Sequence, residues 1–172
     1  MHIELLLLRV VHILGGIFWL GSGLFTTFFL IPALGRTGAA TAGSVMGALQ
    51  QRRLFTVLPI VAVLTMLSGL RLLHIVSAGF DFAYLASRSG QTWVWSGVAA
   101  SVAFVLSLVV VRPAVARTAQ LAASLSSVAS TEAPAMSAEI ERLRRRSGNV
   151  SVVAMIFLIG AATGMATARY LG

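Results

Sequence analysis

The sequence predicts an all-α integral membrane protein. Its fold class is a four-transmembrane-helix bundle built from two helical hairpins, with a helical extension outside the membrane between helices three and four. Three observations carry this reading. Of the 172 residues, 58% are hydrophobic and 10% are charged, with mean hydropathy +0.91; a soluble domain carries roughly 25% charged residues. Four apolar runs each reach the roughly 20 residues that cross about 30 Å of hydrocarbon. In lipid, backbone polar groups must bond within their own segment, so such runs are helices. Residues 1–172 read as a single membrane domain.

The first run covers about 5–34. It has no basic region before its apolar stretch and is longer than a signal-peptide core, so it reads as a retained span. The second covers 54–76, the third 93–111 and the fourth 150–171. The stretch 112–149 reads as a cytoplasmic helical hairpin. RPAVARTAQLAASLSSVAS continues the third helix, and STEAPA with Pro134 interrupts it. Ser137 is the expected N-cap of the returning helix, with Glu139 and Glu141 in its first turn.

The thirteen basic residues are all arginine, against five acids, giving a formal charge of +8. They lie between apolar runs rather than on one soluble face, which points to topology and anionic lipid headgroups rather than nucleic acid. Arg36, Arg52 and Arg53 follow the first span, and Arg112, Arg117, Arg142, Arg144, Arg145 and Arg146 follow the third. The positive-inside rule makes those connections cytoplasmic. The expected location is a bacterial-type inner membrane with both termini outside. No cysteine is present, which excludes disulfides, thiolate zinc sites and iron–sulfur clusters.

An internal duplication is visible. FLIPALGR at the end of the first helix echoes VVRPAVAR at the end of the third, and LTMLSGLRLL loosely echoes IGAATGMATARYL. This would be a parallel repeat of two hairpins. Helix four carries Gly160, Gly164 and Ala168 at four-residue spacing, a close-packing face for another helix of the chain or of a second protomer. Helix one carries Gly15, Gly16, Gly21 and Gly23 around Trp19. That groove suits a neighbouring helix or a flat ligand such as a porphyrin.

Two Arg-x-x-His motifs stand out, Arg9–His12 and Arg71–His74; His2 lies apart from them. His12 is 24 positions from Arg36 and His74 is 21 from Arg53. In antiparallel helices this predicts equal depth to within roughly 5 Å. The arrangement suits a b-type haem: imidazole is a common axial ligand and arginine pairs well with propionates. His12 is then the leading iron ligand, His74 the candidate second ligand, and Arg9 and Arg71 the candidate propionate partners. Two other readings stay open on spacing alone. The histidines can be interfacial residues with snorkelling arginines. Alternatively the site can hold copper, with thioethers from Met66, Met155 or Met165.

The first hairpin resembles the HemJ/CopD group of small membrane proteins over roughly residues 9–75. The shared pattern is Arg9, His12, Gly15, Trp19 and Gly21, then QRRLFTVLP and LTMLSGLRLL in the second helix. In the HemJ branch the resemblance implies a small helical bundle binding haem b, with His12 at the haem and protoporphyrinogen oxidation as the activity. The CopD branch implies copper handling. The HemJ-type third helix carries a lysine a few positions after a tryptophan. Here that stretch is WVWSGVAAS, and the chain has no lysine. This departure argues against protoporphyrinogen oxidase activity.

The combined expectation is a haem b protein doing electron transfer or redox chemistry at the outer side of the membrane. Its cofactor-binding residues are His12, His74, Arg9, Arg71, Gly16 and Trp19. The rivals are a haem-free accessory subunit of a larger membrane complex or homo-oligomer, and a copper-handling protein.

Overall fold

The computed structural model describes residues 2–37, 39–125 and 131–171, and these contain no strand. Helix α1 (His2–Phe25) passes through a π-helical turn (Thr26–Leu30) into α2 (Ile31–Leu34). Helices α3 (Ala39–Gln51), α4 (Leu54–Val76) and the short α5 (Phe82–Ala86) follow. Helix α6 (Arg88–Leu106) passes through a second π turn (Ser107–Val111) into α7 (Arg112–Ser124). Helix α8 (Ala133–Thr167) ends in a 3₁₀ turn (Ala168–Tyr170). Four helical stretches are long and apolar enough to cross a membrane: Ile3–Leu34, Leu54–Val76, Arg88–Ser124 and Ala133–Tyr170.

The two π turns have the same cause. Each ends two residues before a proline, Pro32 and Pro113, which lacks an N–H and crowds the carbonyl four residues back. Widening the turn absorbs that conflict without breaking the helix. A shared five-residue deformation at the same offset supports the proline-anchored repeat read from the sequence.

Packing follows the two hairpins. Helix α1 packs chiefly on α4, and α6 on α8; the contacts between hairpins, α4 with α6 and α1 with α8, are smaller. The core is built mainly from small residues, Ala62, Ala100, Ala103, Ala154 and Ala161, around Trp19, Met155 and Leu158. Lipid gives no hydrophobic drive between helices, so close backbone approach supplies the attraction. Large apolar side chains such as Phe29, Ile17 and Ile156 point outward, the reverse of a soluble domain.

Helix α7 continues the third span and packs on α8, burying Ala114, Leu121 and Ile140. The expected pairing of the two arms is therefore present; residues 126–130, the end of the predicted helix-three continuation and the first residue of the STEAPA break, lie outside the described residues. Two details differ from expectation. Helix α8 is continuous from Ala133, so Ser137 is not an N-cap: its hydroxyl donates back to the Ala133 carbonyl at 2.9 Å. The third span starts at Arg88 rather than Trp93, because the Ser87 hydroxyl accepts from the Gly90 N–H and caps the helix earlier. Helices α3 and α5 were not expected. The first is low in both charge and large apolar residues, and the second is one turn capped by Asp81 on the Tyr84 N–H.

Candidate functional site

The site forms where α1 crosses α4. Thr65 and Ser68 are buried on α4, and the Ser68 hydroxyl donates to the Thr65 carbonyl at 2.9 Å. The same carbonyl lies 2.8 Å from His12 Nδ1. A carbonyl only accepts, so Nδ1 carries the proton. In the neutral ring Nε2 then keeps its lone pair. Gly69 makes room for the ring: a Cβ there would lie 2.6 Å from His12 Cε1. Gly15 meets the Thr65 hydroxyl in the same crossing. That hydroxyl is held by donation to the Val61 carbonyl at 2.8 Å.

His74 has the opposite arrangement. Its Nδ1 lies 3.2 Å from Arg71 Nη1, and a guanidinium only donates, so Nδ1 is the acceptor and a neutral ring carries its proton on Nε2. The ring packs edge-on against Phe80, with centroids 5.0 Å apart at 82°. Phe80 reaches it through a turn in which Ala78, Gly79 and Phe80 all have positive φ, with the Phe80 N–H donating to the Ser77 hydroxyl at 2.8 Å. Side chains on Ala78 and Phe80 make that conformation costly, roughly 1–2 kcal/mol per residue.

The two histidines are not level. His12 lies against Thr65 and Gly69. His74 is five residues beyond Gly69 and nine beyond Thr65, about 7–13 Å along the helix. The depth count failed because it set Arg36 level with Arg53. A π turn lies between His12 and Arg36, the whole of α3 separates Arg36 from Arg53, and Arg53 sits in a left-handed turn with φ 58°. In the actual register Arg71 meets Glu4, its Nε and Nη2 donating to Glu4 Oε1 at 2.9 and 2.8 Å. Two imidazoles on one iron need nitrogens roughly 4 Å apart, at about 2 Å per bond. This arrangement does not bring His12 and His74 into that relation.

The other candidates divide. Arg9 is exposed, and no ion pair or hydrogen bond joins it to a described residue. Arg71 is engaged by Glu4 and His74. Trp19 is buried in the bundle core, edge-to-face with Phe104 at 6.1 Å, so it walls the core rather than a cofactor. Gly16 lies beside the Thr65 methyl, at ordinary contact for a Cβ, and so serves helix packing. Met155 is core filler whose sulfur faces Gly23, and Met66 packs on the core edge. Among the described residues no three His, Cys, Asp or Glu side chains cluster as a metal site.

A groove of about 390 Å³ runs beside this crossing, between α1 and α4. Leu8, Val11, Leu64, Leu67 and Ser68 line it, and Glu4 stands at its edge. Leu8 and Val11 are one turn before and one residue before His12, and Ser68 adjoins Gly69. The groove is apolar, as a macrocycle would need. Thr65, Ser68 and Gly69 were not anticipated as site residues. Their signal was a hydroxyl, a hydroxyl and a glycine at i, i+3 and i+4 in an otherwise apolar helix. Glu4 was not anticipated either, because the register that pairs it with Arg71 is a tertiary property.

No family model, curated protein or solved structure matches the chain.

Proposed function

We propose that the protein is a multi-pass inner-membrane protein that binds haem b through His12 alone and works in redox chemistry near the outer face. The observation that carries this is the bond from His12 Nδ1–H to the Thr65 carbonyl at 2.8 Å. Ligating histidines characteristically hold their second nitrogen this way, which fixes the ring and leaves Nε2 as the donor. The donor set therefore offers a single imidazole ligand. It does not fit a second ligand from His74, whose tautomer and depth are both wrong.

Bound haem would supply one-electron chemistry between ferrous and ferric iron. The chain's own contribution is orientation and exclusion of water. The Thr65 carbonyl, itself held by the Ser68 hydroxyl, holds the imidazole, Gly69 gives it space, and the leucine-lined groove beside the crossing would keep water away. Arg9 has free donors for a carboxylate. Arg71 would have to exchange Glu4 for one. With His12 as its one ligand, the chain would hold the group from one side only.

The test is the visible spectrum of the protein purified after expression with ample haem. A Soret band and ferrous α and β bands are expected, lost by more than tenfold in His12→Ala. His74→Ala should keep both the bands and the spin state. Haem retained in full by His12→Ala would overturn the assignment. A second reading has its own support: His12 and Arg71 already have protein partners, as they would in a haem-free accessory subunit. Protein without a Soret band, and without copper by metal analysis, would favour it.

A further inference from the structure

A second cleft, of about 510 Å³, opens between α6 and α8 at the end of the bundle that carries Arg88 and Leu171. It exists because α8 has no side chain on one strip. A Cβ on Gly160 would meet nothing within 4 Å, so the wall there is bare backbone facing open space. Ala99 lines it from α6. Trp95, 67% exposed, also lines the cleft. Arg88 lines it too, on the first turn of α6.

The charge at this cleft is uncompensated. No ion pair or hydrogen bond joins the Arg88 guanidinium to a described residue, and no acidic residue lines the cleft. The polar groups nearest Arg88 are occupied. Gln91 Nε2 donates to the Ala86 carbonyl at 3.2 Å, and the Thr92 hydroxyl donates to the Arg88 carbonyl at 2.8 Å. The charged donors left for a ligand are those of Arg88, five N–H groups in a fork that matches phosphate, with the Ser96 hydroxyl further along the cleft. One anionic head and one apolar tail satisfy this geometry.

We infer that the cleft holds one anionic phospholipid of the outer leaflet, its phosphate on Arg88 and an acyl chain along Gly160 between Trp95 and Ala99. Arg88 begins its span and Leu171 follows the end of another, so the head lies at headgroup level and the tail runs into the hydrocarbon. The site is selective by charge: a zwitterionic lipid brings an ammonium to an arginine that lacks a counter-ion.

Trp95 gives a direct readout. In a Trp19→Phe, Trp93→Phe background, vesicles of brominated-chain phosphatidylglycerol should quench its fluorescence at no more than a third of the mole fraction needed with brominated phosphatidylcholine. Arg88→Gln should erase that preference. Gly160→Leu should reduce quenching by both lipids. Equal quenching by the two lipids in the parent protein would overturn the proposal. So would protection from both with a dimer in solution, since a second copy would then cover the cleft. If the tryptophan variants do not fold, native mass spectrometry of the unsubstituted protein from mixed nanodiscs replaces them. One retained phosphatidylglycerol, lost in Arg88→Gln, is expected; no preference between the lipids overturns the site.

Discussion

The two hairpins share a plan and differ in chemistry. Aligning them on Pro32 and Pro113 puts Gly15 opposite Ser96, each 17 residues before its proline. At this position both hairpins make their tightest crossing, a hydroxyl against a glycine. In the first hairpin the glycine is on the leading helix, and the Thr65 hydroxyl comes from α4. In the second the hydroxyl is Ser96 on the leading helix, and the glycine is Gly164 on α8. The same contact is made with its halves exchanged. His12, 20 residues before its proline, corresponds to Trp93. The comparison separates what the scaffold needs from what the site needs. Among the described residues a small–hydroxyl crossing is structural and occurs twice; an imidazole on a buried carbonyl occurs once.

The largest effects should come from the crossings themselves. A side chain on Gly164 would run into the Ser96 hydroxyl, so Gly164→Leu should destabilise the protein by about 3 kcal/mol in SDS-driven unfolding. The sharper test exchanges the halves of the first crossing. Gly15→Ser overpacks against Thr65, and Thr65→Gly leaves a void and a helix-interior glycine, so each should cost about 1–3 kcal/mol. The double variant rebuilds the second hairpin's arrangement in the first. It should recover more than about 1 kcal/mol of the summed loss, the coupling expected of residues in direct contact. Strict additivity would break the equivalence of the hairpins.

A smaller effect isolates the site from the scaffold. Gly69 belongs to the histidine rather than to the small–hydroxyl crossing, because its missing Cβ is what lets the His12 ring lie flat on α4. Gly69→Ala would push on Cε1 and move the ring away from the Thr65 carbonyl. A partly buried histidine at a helix surface can give way, so the stability cost should be about 1 kcal/mol. Haem retention should nevertheless fall severalfold, and the ferrous α band should shift. Trp93→Ala, at the corresponding position of the second hairpin, should leave the spectrum unchanged. Equal spectral effects of the two substitutions would remove the distinction between site and scaffold.

What was legible in the sequence follows the same division. Four spans, two hairpins and the extension of helix three are written in local composition, since a 20-residue apolar run in lipid has one structural solution. The duplication was legible because proline marks both exits. The candidate ligand His12 was legible because an ionisable group in an apolar helix is costly enough to call for a reason. Its partners were not. Whether His12 faces Thr65, Gly69 or His74 depends on helix register, and register shows only in contacts distant in sequence, such as Glu4 meeting Arg71, a pair 67 residues apart. Counting positions from Arg36 and Arg53 could not reveal that α3 and a π turn shift one helix along the other. Trp19 failed as a cofactor residue for a related reason. The face it occupies points to α6 and α8, which are distant in sequence.

The Glu4–Arg71 pair is the smallest of the differences and the one that ties register to electrostatics. Both side chains are about half exposed, and no ion pair among the described residues joins α6 to the membrane-spanning part of α8 in the second hairpin. Exposed pairs contribute roughly 0.2–1 kcal/mol and weaken in salt. If register is chiefly a matter of packing at Gly15 and Gly69, a double-mutant cycle on Glu4→Gln and Arg71→Gln should give coupling in that range. The coupling should fall further when salt is raised from 0.05 to about 0.5 M, where the Debye length shortens to a few ångströms. Glu4→Gln should also free the Arg71 donors for a haem propionate, so haem retention should rise rather than fall. Coupling above about 2 kcal/mol, insensitive to salt, would mean that the pair is dry in the membrane and sets the register itself. The glycine crossings would then be a consequence of that register rather than its cause.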